Sequence, residues 1–156
     1  RMLISGVALD RNTARISVIG LKDEPGIAFK LFNLLAKDNI NVDVILQSIG
    51  RENSKDISFT VSRDDADNAV KILEDNMNRI GGKSISCRKD VAKVSIVGAG
   101  MMSNPGVAAK MFEALYNNNI NISMISTSEI RVTVLIDERD AERAVNAVHD
   151  AFGLEE

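Results

Sequence analysis

The chain has 156 residues, 45% of them hydrophobic, which is enough for one sizeable core or for two small ones. Its formal net charge of -3 and its single tyrosine, without any tryptophan, argue against a nucleic-acid-binding surface. No apolar run approaches the roughly 20 residues that span a bilayer, and a signal-peptide pattern is missing. Cys87 is the single cysteine, so no internal disulfide can form, and a buried structural thiol is favoured. We therefore expect a soluble cytoplasmic protein.

The first elements in chain order are a leading strand and a strand–helix–strand–strand pattern. Residues 3–9 have the composition of a strand, and residues 14–20 alternate apolar and polar side chains, as a half-buried strand does. Apolar residues at helical spacing follow Pro25, which stands where a first-turn proline is tolerated. Two further strands are predicted at residues 42–47 and 57–61.

This unit continues with a second helix and a fourth strand. The polar residues 51–55 predict a long hairpin loop before the third strand. Asp64 stands at a position that favours a helix cap, ahead of apolar residues at helical spacing. Gly81 and Gly82 predict a turn, and residues 83–88 a strand.

The chain then repeats the pattern. Residues 92–98 match the strand at 14–20 in residue type at every position, and the Pro-Gly pair and the Asn-Ile-Asn triplet both recur 80 positions later. Asn104 is a better helix cap than Glu24 at the same place in the first copy. Two strands are predicted in the second copy, at residues 122–127 and at residues 130–134. A capped helix is predicted after Asp137. A tandem repeat of a small α/β unit is therefore indicated.

The two copies differ at their ends. The second copy stops near residue 153 without a fourth strand, whereas the leading strand at 3–9 has no place in the first copy. An unfilled sheet edge invites aggregation, so we expect the leading strand to complete the second sheet. The predicted fold is α+β, with two ferredoxin-like βαββαβ units, each a four-stranded antiparallel sheet backed by two helices. The first would span residues 14–90 and be inserted in the second, which would combine 1–13 with 91–156.

Catalytic motifs are scarce. His149, the single histidine, lies in the last predicted helix without a serine or cysteine partner, which favours a surface or capping role over general base catalysis. The glycines at 98–100 begin a dinucleotide-binding motif, but Ser103 replaces its third glycine, so a tight turn is favoured. The carboxylates within residues 64–67 lie at a helix start, which favours capping over metal binding.

The loop before the first helix carries a clearer chemical signal. Glycine at Gly26 lets a ligand approach the backbone, and the helix start at Ile27 and Ala28 presents N–H donors to a carboxylate. Asp23 can accept hydrogen bonds from an ammonium group. These are the two charged groups of an amino acid. An ordinary helix start, in which Asp23 only caps, is the alternative and remains open.

The repeated Asn-Ile-Asn triplets have two interpretations as well. Asparagine suits a turn from helix to strand, and its amide also offers a donor and an acceptor to a ligand at a sheet edge. From the residues alone, the turn is favoured. The triplets are Asn39, Ile40 and Asn41, and Asn119, Ile120 and Asn121.

Together these patterns resemble the ACT domains, and more closely the paired ACT regulatory region of aspartate kinase. The resemblance extends from residue 6 to residue 152, and its most specific stretches are residues 93–101, 104–107 and 125–131. It implies effector sites at a seam between two chains. One site would combine two sets of residues from different chains: Asp23, Gly26, Ile27, Ala28 and Gln47, and Asn119, Ile120 and Asn121. The pseudo-equivalent site would use Ser103, Gly106, Val107 and Ala108 with Asn39, Ile40 and Asn41, and with Ser126, Ser128 and Glu129 nearby.

The resemblance also implies feedback control. Aspartate kinases phosphorylate the side-chain carboxylate of aspartate with ATP, and their ACT region binds end-product amino acids such as threonine or lysine. The chain lacks a glycine-rich phosphate loop with a lysine, so we expect no catalysis from it alone, and ATP and Mg²⁺ only in a kinase domain. Arg1 precedes the first methionine, which suggests a trimmed protein or a separate small subunit.

Three functions follow in order of preference. The first is an amino-acid-binding regulatory homodimer that acts on a kinase catalytic domain or subunit. The second is a dimerisation module of that kinase without effector binding of its own. The third, a free-standing enzyme, is disfavoured because no nucleophile, metal set or acid–base pair is apparent.

Overall fold

The computed structural model describes residues 3–50, 52–99 and 106–153, which divide into two compact units. The first unit is Asn12–Lys89, and the second unit consists of Arg1–Arg11 together with Asp90–Glu156. Along the chain, the first unit therefore lies between the two parts of the second. No helix in the described ranges is long and apolar enough to cross a membrane.

Each unit contains one antiparallel four-stranded sheet and its own helices. The strands are β1 (Leu3–Asp10), β2 (Ala14–Lys22), β3 (Ile45–Ile49), β4 (Ser54–Val61), β5 (Ser84–Arg88), β6 (Val91–Ala99), β7 (Met124–Thr127) and β8 (Arg131–Asp137). The helices are α1 (Ile27–Lys37), α2 (Ala66–Asp75), α3 (Met77–Ile80), α4 (Gly106–Asn117) and α5 (Ala141–Phe152). Short 3-10 turns at Arg63–Asp65 and Glu138–Asp140 precede α2 and α5.

The strand orders are β3-β4-β2-β5 in the first unit and β1-β6-β8-β7 in the second. β1 pairs with β6 in an antiparallel ladder, at the place that β5 takes beside β2 in the first unit. The α+β prediction of two ferredoxin-like units is therefore confirmed. The edge strands that matter for the site are β3 and β7, because each is hydrogen-bonded on one side only.

The core of the first unit forms where α1 and α2 cover one face of its sheet. Ile16 and Phe59 on the strands and Leu31 and Leu73 on the helices are completely buried. The rings of Phe32 and Phe59 meet edge to face, with centroids 5.4 Å apart and planes at 75°. This packing is the arrangement that aromatic pairs prefer, and it fixes α1 against β4.

The core of the second unit is built in the same way. Ile96 and Val134 on the central strands pack with Met111 and Leu115 of α4 and with Val148 of α5. All five side chains are completely buried. The apolar positions at helical spacing in the sequence are thus the faces that α4 and α5 turn towards their sheet.

The hairpin between β3 and β4 is tighter than its polar sequence suggests. Glu52 and Asn53 take left-handed backbone angles, with φ of 56° and 60°. The N–H of Gly50 donates to the carbonyl of Ser54, at 2.8 Å. The prediction of a long loop through residue 55 is wrong, because the strand begins at Ser54 and includes Lys55.

Helix starts also differ from the predictions. α1 begins at Ile27 with Gly26 as its N-cap, so Pro25 lies before the helix and Glu24 is not its cap. Gly26 has φ of 90°, which only glycine adopts without strain, and this explains why the helix starts there. Pro105 and Asn104, the corresponding residues of the second unit, lie outside the described residues.

The cap before α2 is Ser62 rather than Asp64. The hydroxyl of Ser62 accepts a hydrogen bond from the N–H of Asp65, at 3.3 Å, and a 3-10 turn carries the chain into the helix. Asp64 instead accepts a hydrogen bond from the side-chain amide of Asn12. Asp137 does occupy a cap position, ahead of the 3-10 turn that leads into α5, but its side chain makes no cap hydrogen bond.

Candidate functional site

The loop between β2 and α1 is held by backbone contacts. The N–H of Asp23 donates to the carbonyl of Asn53 in the β3–β4 hairpin, at 2.6 Å. The carbonyl of Gly26 accepts the N–H of Lys30, at 3.0 Å, which starts the helix. No side chain caps α1 at its N-cap, so its first-turn N–H groups face outward without a side-chain partner there.

The surface in front of this loop is open. A Cβ placed on Gly26 would have no atom within 4 Å, so glycine is needed for its backbone angle and the space beside it is free. Ile27 is buried in the core, whereas Ala28 is partly buried against it. A ligand at this loop would therefore meet the backbone of Ile27 rather than its side chain.

Asp23 faces a lysine that lies on the neighbouring strand. The ammonium nitrogen of Lys55 is 3.8 Å from a carboxylate oxygen of Asp23. Lys55 pairs with Leu21 of β2 and with Ile49 of β3, so it occupies the strand beside the loop. Its side chain is 10% exposed, against 43% for Asp23. The carboxylate of Asp23 in the loop and the ammonium group of Lys55 on β4 therefore lie side by side.

Gln47 lies on the same face of the sheet as α1. It stands opposite Ile57, whose side chain is buried under the helices, and directly opposite residues project to the same face. All five residues of β3 are exposed. Gln47 is thus available at the outer edge of the first sheet, on the side from which α1 starts.

Both Asn-Ile-Asn triplets form the turn that follows a helix. Asn39 and Asn119 have φ of 58° and 57°, in the left-handed region that asparagine tolerates better than most residues. Ile40 and Ile120, each 5% exposed, anchor the turn in the two cores. The turn interpretation therefore accounts for the first asparagine and the isoleucine of each triplet, while Asn41 and Asn121 are exposed.

The second unit places its predicted residues at two points. Gly106 starts α4 within the described residues, Val107 is buried and Ala108 is partly buried, while Ser103 lies outside the described residues. Ser126 stands on β7 opposite Thr133. Ser128 donates its N–H to the carbonyl of Arg131, at 2.8 Å, which closes the β7–β8 hairpin. Glu129 is exposed at the tip of that hairpin.

The comparisons with known proteins agree with this architecture. The family model of the ACT domain matches residues 16–77 and 94–152, which are the main parts of both units. This chain belongs to the ACT domain family. Its paired ACT units are of the aspartate kinase regulatory type, as the following similarities show.

Three relatives place the ACT pair among aspartate kinases. An aspartate kinase of Stutzerimonas stutzeri (strain A1501) is 46% identical over 153 residues, which are 98% of this chain and 37% of that protein. The crystal structure of aspartokinase alpha and beta subunits matches with a TM-score of 0.91 at 47% identity, over 97% of this chain and 99% of that one. The ligand-free regulatory subunit of aspartate kinase from Thermus thermophilus matches with a TM-score of 0.90 at 47% identity, over 96% and 98% of the two chains.

The ACT pair spans only part of most of its relatives. It covers 37% of the length of the aspartate kinases that match it first. It covers nearly the whole of the regulatory subunit from Thermus thermophilus. The resemblance to the regulatory region of aspartate kinase is therefore confirmed.

Within the first ACT unit, the predicted residues fall into two separate places. Asp23, Gly26 and Ala28 lie at the start of α1, with Gln47 on the same face of the sheet. Asn39 lies at the other end of this helix, whose 11 residues make it about 16 Å long. One small effector cannot touch both places, so the first unit alone does not unite the two predicted sets.

Lys55 is a residue beside this loop that the sequence patterns did not indicate. The polar stretch 51–55 favours a loop, although Lys55, Ile57, Phe59 and Val61 follow one another at the period of two that marks a single face of a strand. Extending that pattern by one step backward would have put a lysine on the buried face. A charge on a buried face is a signal of a functional or paired group.

Two other groups considered from the sequence have structural roles. Asp67 forms an ion pair with Lys89 at 2.6 Å, and the hydrogen bond raises the pKa of Lys89. Burial raises the pKa of the half-buried Cys87 thiol, which disfavours the nucleophilic thiolate. Among the described residues, no three His, Cys, Asp or Glu side chains cluster in a way that could hold a metal ion.

The turn at Asn39 gives a stability prediction. Asn39→Ala is expected to lower the free energy of unfolding by about 1 kcal/mol, because alanine is strained at φ of 58°. Asn39→Gly should be nearly neutral, since glycine adopts this angle freely. Urea denaturation followed by circular dichroism measures both, with Asn41→Ala in the same triplet as the control. Equal losses for the alanine and glycine variants would show that backbone strain is not the cause.

Proposed function

We propose that this chain is the amino-acid sensor of an aspartate kinase. It binds threonine, lysine or both at the loop between β2 and α1 and transmits feedback inhibition to the kinase. The geometry of this loop supports the proposal. The uncapped start of α1 offers N–H donors to a carboxylate, the half-exposed Asp23 offers an acceptor to an ammonium group, and the surface at Gly26 is open to a ligand.

The proposed site is completed by a second copy of the chain. Asn119, Ile120 and Asn121 of one copy would face the Asp23 loop of the other, and the pseudo-equivalent site would pair the start of α4 with Asn39, Ile40 and Asn41. The unpaired edge strand β3, which is exposed along its whole length, supports a second copy.

The catalytic partner is a kinase domain or subunit that holds ATP and Mg²⁺ and phosphorylates the aspartate carboxylate. An effector inhibits only if it binds one state of the assembly better than the other, and such couplings are typically about 1–3 kcal/mol. The aspartate kinase of Clostridium acetobutylicum, which is 30% identical over 96% of this chain, is described as an allosteric enzyme. That description supports a regulatory role for the matching region.

Assembly without effector binding is the second candidate. It is favoured by the exposed apolar side chains on the edge strand β3, where Ile45, Leu46 and Ile49 are 53%, 43% and 84% exposed. Isolated apolar residues are common on surfaces, but a row of them on an unpaired strand edge marks an interaction surface. This candidate predicts a dimer that binds neither threonine nor lysine.

The proposal predicts loss of inhibition in Ser128→Phe. Ser128 is exposed in the β7–β8 hairpin, so a phenyl ring there is expected to crowd the seam at the pseudo-equivalent site without disturbing the core. In a kinase reconstituted with this variant, the effector concentration for half-inhibition should rise at least about tenfold, the effect of roughly 1.4 kcal/mol. The inhibition curve of the reconstituted kinase measures it.

A matched control places a phenyl ring at an exposed position on another element of the structure. Asn68 is exposed on α2, and Asn68→Phe should leave the inhibition curve unchanged. Curves for Ser128→Phe that coincide with the wild type would remove Ser128 from the site. A kinase that neither threonine nor lysine inhibits, with wild-type chain bound, would contradict the proposed function itself.

A further inference from the structure

The ion pair between Lys55 and Asp23 joins a nearly buried ammonium group to a half-exposed carboxylate at the loop before α1. The Lys55 side chain is 10% exposed, and lysine is almost never so buried without a firm partner. Its one charged neighbour within 4 Å among the described residues is Asp23. Burying an ammonium group is costly unless the group is paired and hydrogen-bonded.

The two charged groups do not hydrogen-bond to each other. Their separation is 3.8 Å, whereas charge-assisted N–H···O bonds measure about 2.7–2.9 Å. Lys55 and Asp23 therefore attract each other but keep hydrogen-bonding capacity. Asp23 is also fixed in place through its backbone, because its N–H donates to the carbonyl of Asn53.

This arrangement complements an amino-acid zwitterion. In an α-amino acid the ammonium and the carboxyl group are attached to the same carbon atom, so the two charges lie side by side. When such a ligand lies against the ion pair, its carboxylate contacts Lys55 and its ammonium group contacts Asp23. The four charges then alternate in sign. Each ligand charge then has an opposite charge on both sides, and the free hydrogen-bonding capacity of both side chains is used.

We infer that Lys55 binds the carboxylate of the effector, together with the N–H groups at the start of α1, while Asp23 binds its ammonium group. The inference rests on the proposed function, which places an amino acid at this loop. It adds a recognition residue on β4 that the sequence patterns had assigned to a loop. The open space at Gly26 and the 43% exposure of Asp23 leave the pair accessible from solvent.

The position that corresponds to Lys55 in the second unit holds an apolar residue. Val18 pairs with Ile57 in the first unit, and at the same place in the repeat Ile96 pairs with Val132 in the second. Two residues before Ile57 stands Lys55, and two residues before Val132 stands Ile130, which is 56% exposed. The position of the buried cation is apolar in the second unit. The second unit has an ion pair of similar burial, but it joins Lys93 near the start of β6 to Asp10 of β1, at 3.7 Å.

Calorimetric titration of the full chain tests the inference with matched ligands. The ligands are threonine and lysine, each compared with its methyl ester, which keeps the ammonium group and lacks the carboxylate charge. The variants are Lys55→Met, with Lys55→Gln as a second variant if the first does not fold, and Lys22→Met as a control. Lys22 is exposed on the adjacent strand, next to Asp23 in sequence.

The expected result is a loss of carboxylate recognition in the Lys55 variants only. Wild type and Lys22→Met should prefer the amino acid over its ester by at least about tenfold, as charged hydrogen bonds do. Lys55→Met should bind the amino acid about as weakly as wild type binds the ester. A Lys55 variant that is folded and keeps the wild-type preference would overturn the inference. A wild-type chain that binds neither amino acid would overturn the proposed function, and the inference with it.

Discussion

Asp23→Ala is expected to raise the dissociation constant of the amino-acid effector at least about tenfold. The carboxylate is the acceptor for the effector's ammonium group, and a hydrogen bond to a charged group contributes about 1.5–3 kcal/mol. The unit should stay folded, because Asp23 is 43% exposed and its backbone hydrogen bond to Asn53 is kept, but the free energy of unfolding should fall because the nearly buried Lys55 loses its charged partner. Isothermal titration calorimetry gives the dissociation constant, and urea denaturation gives the stability.

The neighbouring carboxylate supplies the control for this result. Glu24 is exposed in the same loop, and Glu24→Ala removes the same charge one residue away. It should change the dissociation constant by less than about twofold, because screened surface charges contribute little. Equal effects of the two variants would indicate a general electrostatic attraction, and an unchanged constant in Asp23→Ala would refute its role as the ammonium acceptor.

Phe59→Ala is expected to lower the free energy of unfolding by about 3–5 kcal/mol. Phe59 is completely buried on β4 and packs edge to face against Phe32 of α1. The substitution opens a cavity at the contact that holds α1, and with it the Asp23 loop, against the sheet. Chemical denaturation monitored by circular dichroism measures the loss, and effector affinity should fall with it as the loop loses its support.

An exposed phenylalanine gives the comparison. Phe29 lies on α1 and is 72% exposed, so Phe29→Ala removes the same ring without a cavity. Its effect on unfolding should remain within about 0.5 kcal/mol. A loss below about 1 kcal/mol for Phe59→Ala would contradict the placement of this ring at the centre of the first core.

The fold was accessible from the sequence because its signals are local and repeated. The apolar faces of α1 and α4, the alternation in β2 and β6, and the two Asn-Ile-Asn turns each follow from the preferences of a few neighbouring residues. Because these signals recur in both units, the same order of elements could be predicted for each unit. The short helix α3 gave no signal, because four residues are too few for a periodic pattern.

Other features depend on backbone angles and on partners that are distant in sequence. The start of α1 is set by the left-handed angle of Gly26, and the cap before α2 by the contact of Ser62 with Asp65. The sequence did not predict a role for Lys55, because a tight turn of residues with left-handed backbone angles is what brings it into a strand. There it lies beside the carboxylate of Asp23, 32 positions earlier in the chain. The sequence therefore indicated the Asp23 loop, but not the cation that accompanies it.

Calorimetric titration of this chain with threonine and, separately, with lysine, together with its mass from light scattering, tests the sensor function. We expect saturable binding of at least one of the two by a dimer. A folded dimer that gives no heat with either amino acid would contradict the sensor function and leave the assembly module as the function of this chain.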